Sequence, residues 1–307
     1  MMARAVLCLV ALLLAGMPAR AAEFADGVDA YARGDDVTAR AVFAATAESG
    51  NVEAQYLLAQ MLADGRGGDR DYKTAAAWFE RAALQGDSKS AYALGLLTQE
   101  GLGRPRDRAL ATEWFHLAAK SEYAPAERAL GLAFLIGDGV ERDRDAAARW
   151  FEKAAMHGDA HAAYNLGVLF LEGPGPSGKG PVEDASAAAK WFLQAAESGH
   201  LDAQFNIAIL YLEGAGVPKD ETKAAEWFRQ AADRGEPQAQ YRLAGLYAAG
   251  TGVKRDRIEA LIWLDMAAKG GVTDEALRAK LVKNLKPEDI AEAEQRAGAR
   301  AEAAALR

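Results

Sequence analysis

The chain of 307 residues has six tryptophans, Trp78, Trp114, Trp150, Trp191, Trp227 and Trp263, standing 36, 36, 41, 36 and 36 residues apart. So regular a period in so rare a residue marks a tandem array, in which one supersecondary unit recurs and buries its apolar face only against its neighbours. Residues 203–235, AQFNIAILYLEGAGVPKDETKAAEWFRQAADRG, show the unit, and copies begin near Val52, Ser88, Tyr123, Asp159, Leu201 and Glu236. Each copy reads as two helices joined by a G-x-G loop. The first carries Ala, Tyr, Leu and a small residue at i, i+2, i+4 and i+5 (Ala54, Tyr56, Leu58, Ala59; Ala162, Tyr164, Leu166, Gly167), and the small residues allow a partner helix to approach closely. The second carries W-F-x-x-A-A, as in Trp150, Phe151, Ala154 and Ala155, whose i, i+4 spacing predicts one buried stripe of bulk and alanine.

Stop and start signals fall in phase with this period. Gly50, Gly86, Gly158, Gly199 and Gly235 follow the second helix, where a left-handed residue is wanted, and Asn51, Asp87 and Asp159 then suit an N-cap. Asp71, Asp107, Asp143, Asp184, Asp220 and Asp256 stand just before the six Trp helices, and capping explains six acids at one phase better than shared chemistry does. Upstream, residues 22–51 form a shorter helix pair with Val42-Phe43 at the Trp-Phe phase and a loop reduced to Gly34-Asp35. Residues 52–271 hold the six full copies. Residues 272–307 read as two charged, alanine-rich helices, the second opened by Pro287, that cap the end of the stack.

Residues 1–21 read as a secretory leader: Arg4 gives a basic start, Val6 to Ala15 an apolar core, and Ala19-Arg20-Ala21 a cleavage signal. The apolar run is too short to cross a bilayer and is broken by Pro18 and Arg20, so no membrane span is expected. The single cysteine, Cys8, lies inside it; the mature chain then has no disulfide, thiolate ligand or cysteine nucleophile, which suits an oxidising compartment. The formal net charge of −8 becomes more negative once Arg4 and Arg20 are removed, which argues against nucleic acid as a partner.

Six copies of A-x-Y-x-L-G-x-L-Y-x-x-G-x-G-V followed by D-x-x-K-A-x-x-W-F-x-x-A-A-x-x-G resemble the Sel1-like repeat, a relative of the tetratricopeptide repeat, over residues 52–271. The short unit at 22–51 looks more like a tetratricopeptide repeat. The resemblance implies an all-α, right-handed α/α superhelical solenoid and a role as scaffold, adaptor or regulator in secreted or periplasmic complexes. Periplasmic members of similar architecture restrain sensor kinases. A cysteine-rich branch is associated with penicillin recognition or β-lactamase activity, and the absence of mature cysteine departs from it.

One stretch raises a different chemistry. In EGPGPSGKGPVEDAS, residues 172–186, Gly173, Gly178 and Lys179 fit the G-x-x-x-x-G-K of a phosphate-binding loop. Gly180 stands where a Mg²⁺-binding hydroxyl is needed, a helix pattern precedes the loop in place of a strand, and Pro174, Pro176 and Pro181 remove N–H donors. The stretch reads instead as an interhelix loop with a five-residue insertion near 174–181, either a tolerated surface insertion or a partner-contacting finger. The four histidines form no catalytic or metal motif: His157 and His161 are separated by the helix break at Gly158-Asp159, and His116 and His200 fall at phases that suggest exposure. No catalytic, cofactor or metal residue is assigned, and no enzyme activity is expected.

Two surfaces remain. Arg104, Arg106 and Arg108, Arg142 and Arg144, and Lys254, Arg255 and Arg257 line the interhelix loops, giving either a basic stripe or, with Asp107, Asp143 and Asp256 between them, a solvated mixed-charge edge. By tetratricopeptide phase the first helices present Tyr56, Tyr92, Arg128, Tyr164, Phe205 and Tyr241 to a concave groove, with Leu132, Val168 and Ile209 one turn later. This row suits a peptide or helix from a protein partner, or else packs between repeats. The expected function is a non-catalytic periplasmic scaffold or regulator that restrains a sensor kinase or envelope complex; the rival is a cell-wall enzyme or ligand binder.

Overall fold

The structure is a computed structural model that describes residues 17–175, 178, 180–283 and 285–305, and among these every regular element is a helix. Two compact units divide the chain, one running to His157 and the other from Gly158. The first holds four helix pairs: α1 (Met17–Ala32) with α2 (Asp36–Glu48), α3 (Val52–Asp64) with α4 (Tyr72–Leu84), α5 (Ser88–Glu100) with α6 (Arg108–Ala119), and α7 (Ala124–Ile136) with α8 (Arg144–Met156). The second holds three: α9 (Ala160–Glu172) with α10 (Ala185–Glu197), α11 (Leu201–Glu213) with α12 (Glu221–Asp233), and α13 (Pro237–Ala249) with α14 (Arg257–Lys269). It ends in α15 (Glu275–Val282) and α16 (Pro287–Ala305), the latter packed along α14. Within each unit the second helix of one pair packs on the first helix of the next. The expected leader lies outside the described residues as far as residue 16.

Phenylalanine fills the centre of the pairs. Phe43, Phe151, Phe192 and Phe228 are fully buried, with Phe115 and Phe79 close behind, whereas Trp114, Trp150 and Trp227 are only partly covered. The predicted stripe is buried at Phe151, Ala154 and Ala155, while Trp150 stays partly open. The Phe side chain enters the pair beneath the small residue of the first helix, and at Gly95, Gly131 and Gly167 an added Cβ would press into the Phe115, Phe151 and Phe192 rings. Trp78, Trp191 and Trp263 are buried at the margins of the same core.

Each aspartate of the 71–256 series has extended backbone and accepts a hydrogen bond from the first turn of its helix: Asp71 from the Thr74 N–H, Asp107 from Leu110, Asp143 from Asp145 and Ala146, Asp184 from Ser186 and Ala187, Asp220 from Lys223, and Asp256 from Ile258 and Glu259. These bonds satisfy donors that a helix start leaves open. Asp220→Ala is expected to cost about 1 kcal/mol, read as a lower urea midpoint, and Asp220→Ser to restore most of it.

The second glycine of the G-x-G loop has a separate task. Gly67, Gly103, Gly139, Gly216 and Gly252 have φ between 66° and 78°, and each would drive a Cβ into the backbone at the start of the preceding pair's second helix. For Gly139 the obstacle is the Arg108 carbonyl, and for Gly252 the Glu221 carbonyl. In these five repeats the second glycine of the loop is thus the point where one repeat seats on the preceding one. In the long loop, Gly173 ends α9 by donating to the Leu169 carbonyl, and the Asp184 N–H returns to Phe170 as its equivalents do elsewhere. The insertion is confined between these two anchors; Gly178 turns in open space, and Lys179 lies outside the described residues.

Candidate functional site

The first helices set the candidate residues in register, one per turn of the array. Tyr56, Tyr92, Arg128, Tyr164, Phe205, Tyr241, Val168 and Ile209 are all partly exposed, and Leu132 is 37% exposed. In the first unit Tyr56 packs on Phe79 with ring centroids 6.0 Å apart, and Tyr92 on Phe115 at 5.7 Å. In the second, Tyr164 packs on Phe192 at 5.7 Å and Phe205 edge-on against Phe228 at 5.4 Å. One face of each ring therefore belongs to its own repeat's core.

The other side of the row meets the cap residue that opens the following repeat. Tyr92 lies edge-on to Tyr123 at 5.6 Å, Tyr164 stacks on His200 at 4.5 Å with the planes 13° apart, and the Tyr241 hydroxyl donates to the Asp274 carboxylate at 3.0 Å. Burial, with Asp87 next in effect, raises the Tyr56 pKa; burial and Asp202 do the same at Tyr164. At Tyr241 the hydrogen bond to Asp274 is the larger cause of a raised value. The aromatic row thus joins repeats and still leaves part of each ring open, so packing and presentation coexist.

Two clefts open beside this row. The first unit has one of about 540 Å³ between α6, α7 and α8, with His116, Trp150, Lys153 and Glu127 in its wall. Glu127 is buried at 2% exposure and lies 2.7 Å from His157 Nδ1, while Glu122 reaches within 3.7 Å of His157 Nε2. Glu122 is also the one non-glycine with positive φ among the described residues, at 57°, where the other repeats place glycine. The second unit has a cleft of about 440 Å³ lined by His161, His200, Asp202, Arg234 and Glu236. There His200 Nε2 lies 3.1 Å from His161 Nδ1.

One sequence expectation is corrected here. His116 and His200 are half-buried and not exposed: His116 packs edge-on against Trp150 at 5.4 Å, and burial lowers its pKa ahead of the effect of Lys120. Of the two readings of the loop arginines, the mixed-charge edge is the one observed: Arg106, Arg108 and Arg142 are exposed and several are tied down locally. Arg104 pairs with Glu80 at 2.7 Å, Arg108 with Asp138 at 2.9 Å, and the Arg106 and Arg142 Nε groups donate to the carbonyls of Gln99 and Leu135. Among the described residues no group of three or more His, Cys, Asp or Glu side chains converges on a metal position, and no helix is long and apolar enough to cross a membrane.

A Sel1 repeat family model matches residues 52–87, 88–123, 124–159, 160–200, 201–236 and 237–272. The chain belongs to the Sel1 repeat family. The fourth Sel1 repeat is the long one, holding the inserted loop between α9 and α10. The crystal structure of a Sel1 repeat protein from Oxalobacter formigenes is similar with a TM-score of 0.64 and 27% identity, over 83% of this chain and 98% of that one. A protective antigen present in uropathogenic Escherichia coli strains, also a Sel1-like repeat fold, is similar with a TM-score of 0.63 and 29% identity, over 93% of this chain and 70% of that one. No curated protein matches. The all-α architecture of paired helices expected from the sequence is the one observed, and Sel1 repeats are generally platforms for protein–protein interaction.

Proposed function

We propose that this Sel1 repeat protein is a non-catalytic periplasmic scaffold or regulator that binds a protein partner along the first-helix face, with the sensor region of an envelope kinase as the partner class. The observation that carries the reading is an apolar replacement on α7. Ile136 is 67% exposed at the phase where four of the other five repeats carry Asp64, Glu100, Glu172 and Glu213 and the last carries the small Ala249, and Leu132, one turn before it, is also exposed. An isolated exposed apolar residue means little, but two on one helix face beside a half-open aromatic row form a surface with something to gain from a partner. The leader-like N-terminus and the absence of cysteine after Cys8 support the location.

A photo-crosslinking side chain placed at 132 or 136 is expected to give a discrete protein adduct in envelope preparations, and one at Leu84, which is 72% exposed on α4, is not. Arg128→Glu together with Tyr164→Ala is expected to abolish capture of that partner with helical circular dichroism unchanged. Equal adducts from all three positions, or undiminished capture by the double variant, would sink the proposal.

A further inference from the structure

We infer that His161 and His200 form a proton-operated latch that holds Tyr164 and the first turn of α11 in place and opens on acidification. The inference deepens the proposed function, because Tyr164 belongs to the face assigned to the partner. It starts from position: His200 occupies the N-cap of α11, where other repeats have Asn51, Asp87 and Asp159, and its Nδ1 accepts from the Ala203 N–H at 3.4 Å. An imidazole caps a helix only with an unprotonated Nδ1. Its single proton therefore sits on Nε2, which donates to His161 Nδ1 at 3.1 Å.

This chain of two bonds runs cap to histidine to histidine and has no room for an added proton. If the proton enters His200, Nδ1 becomes a donor facing the Ala203 N–H. If it enters His161, then His200 must turn its Nε2 lone pair toward the new donor, which again puts a proton on its Nδ1. Either way the first proton removes the cap while the histidine pair survives, and a second proton breaks the pair. A cation at a helix N-terminus is also opposed by the helix dipole. Tyr164, stacked at 4.5 Å on the same ring, loses its fixed platform.

The surroundings decide where the latch works. His161 and Tyr164 face His200 from α9, Asp159 from the turn before α9, Asp202 from α11 itself, Arg234 from the C-cap of α12 and Glu236 from the N-cap of α13. Burial, then the neighbouring His161, hold the His200 pKa below the ordinary histidine value; Asp202 and Asp159 oppose the shift and Arg234 adds to it. A folded-state pKa below the unfolded one means that the unfolded chain binds more protons in that window. The stabilisation is thus complete above the ordinary histidine range and is lost as the pH falls through the lowered value.

The test uses the protein alone. Nitrogen-detected NMR of the four imidazoles is expected to show His200 with its proton on Nε2 above neutral pH, and hydrogen exchange at the Ala203 amide to quicken about fivefold as His200 titrates. His200→Asn, which caps without titrating, is expected to hold that amide protected at every pH. His161→Gln is expected to move the His200 midpoint upward. A proton found on His200 Nδ1 above neutral pH, or Ala203 exchange that follows no His200 midpoint, overturns the latch. Since no partner enters these measurements, loss of the latch leaves the binding face untouched; undiminished capture by the Tyr164 variant would remove the binding face and leave the latch standing.

Discussion

Gly139→Ala is expected to lower the stability of the first unit by about 3 kcal/mol, because a side chain there incurs the left-handed backbone penalty and also forces the Arg108 carbonyl away. The comparison that isolates the second effect is Gly178→Ala. Gly178 has φ 70° but nothing within 4 Å of the place a Cβ would take, so only the backbone penalty of about 1 kcal/mol applies. Urea unfolding followed by circular dichroism separates the two. Equal losses at the two positions would show that the glycine at 139 serves only its own turn and does not dock the third Sel1 repeat onto the second.

His157→Ala is expected to cost about 2 kcal/mol, because it takes the donor from a carboxylate buried at 2% exposure. The corresponding place two repeats earlier shows what would be tolerated. There Gln85 Nε2 donates to Gln55 Oε1 at 2.8 Å, and Gln55 passes its own amide hydrogen to the Ala47 carbonyl. His157→Gln is therefore expected to keep most of the stability, and Glu127→Gln with His157→Gln to rebuild the neutral pair. A thermal melt of the three variants checks the order. An alanine variant as stable as the glutamine variant would mean that the Glu127–His157 contact contributes nothing to the fold.

The repeat phase, the helix pairs and the capping aspartates were legible because each is a local relation: a Trp period, an i, i+4 stripe, an acid three residues before an open N–H. Features that depend on the next repeat were not. His116 and His200 looked exposed by their place on their own elements, yet Trp150 covers one and Tyr164 the other from a neighbouring pair. The loop arginines suggested an open edge because their partners include backbone carbonyls, at Gln99 and Leu135, that no residue name reveals. The fully buried phenylalanines recur beside the tryptophans at the same period, but the rarer residue gives the stronger signal. The aromatic row recurs at one helix phase of the sequence, whereas its contact with each following cap depends on how one repeat seats on the next.

The glycine junction also bears on how such a chain changes length. The loops holding Gly67, Gly103, Gly139, Gly216 and Gly252 use the same meeting of a loop glycine with the backbone that opens the preceding second helix, whatever side chains surround it. Loss of residues 88–123 as one block would bring Gly139 against the Tyr72 backbone that Gly103 now meets, and the chain would close over the gap with its joints intact. A deletion of half that length would set a helix where a loop must fit. Within a unit the repeats are in this sense interchangeable cassettes, gained or lost by whole periods.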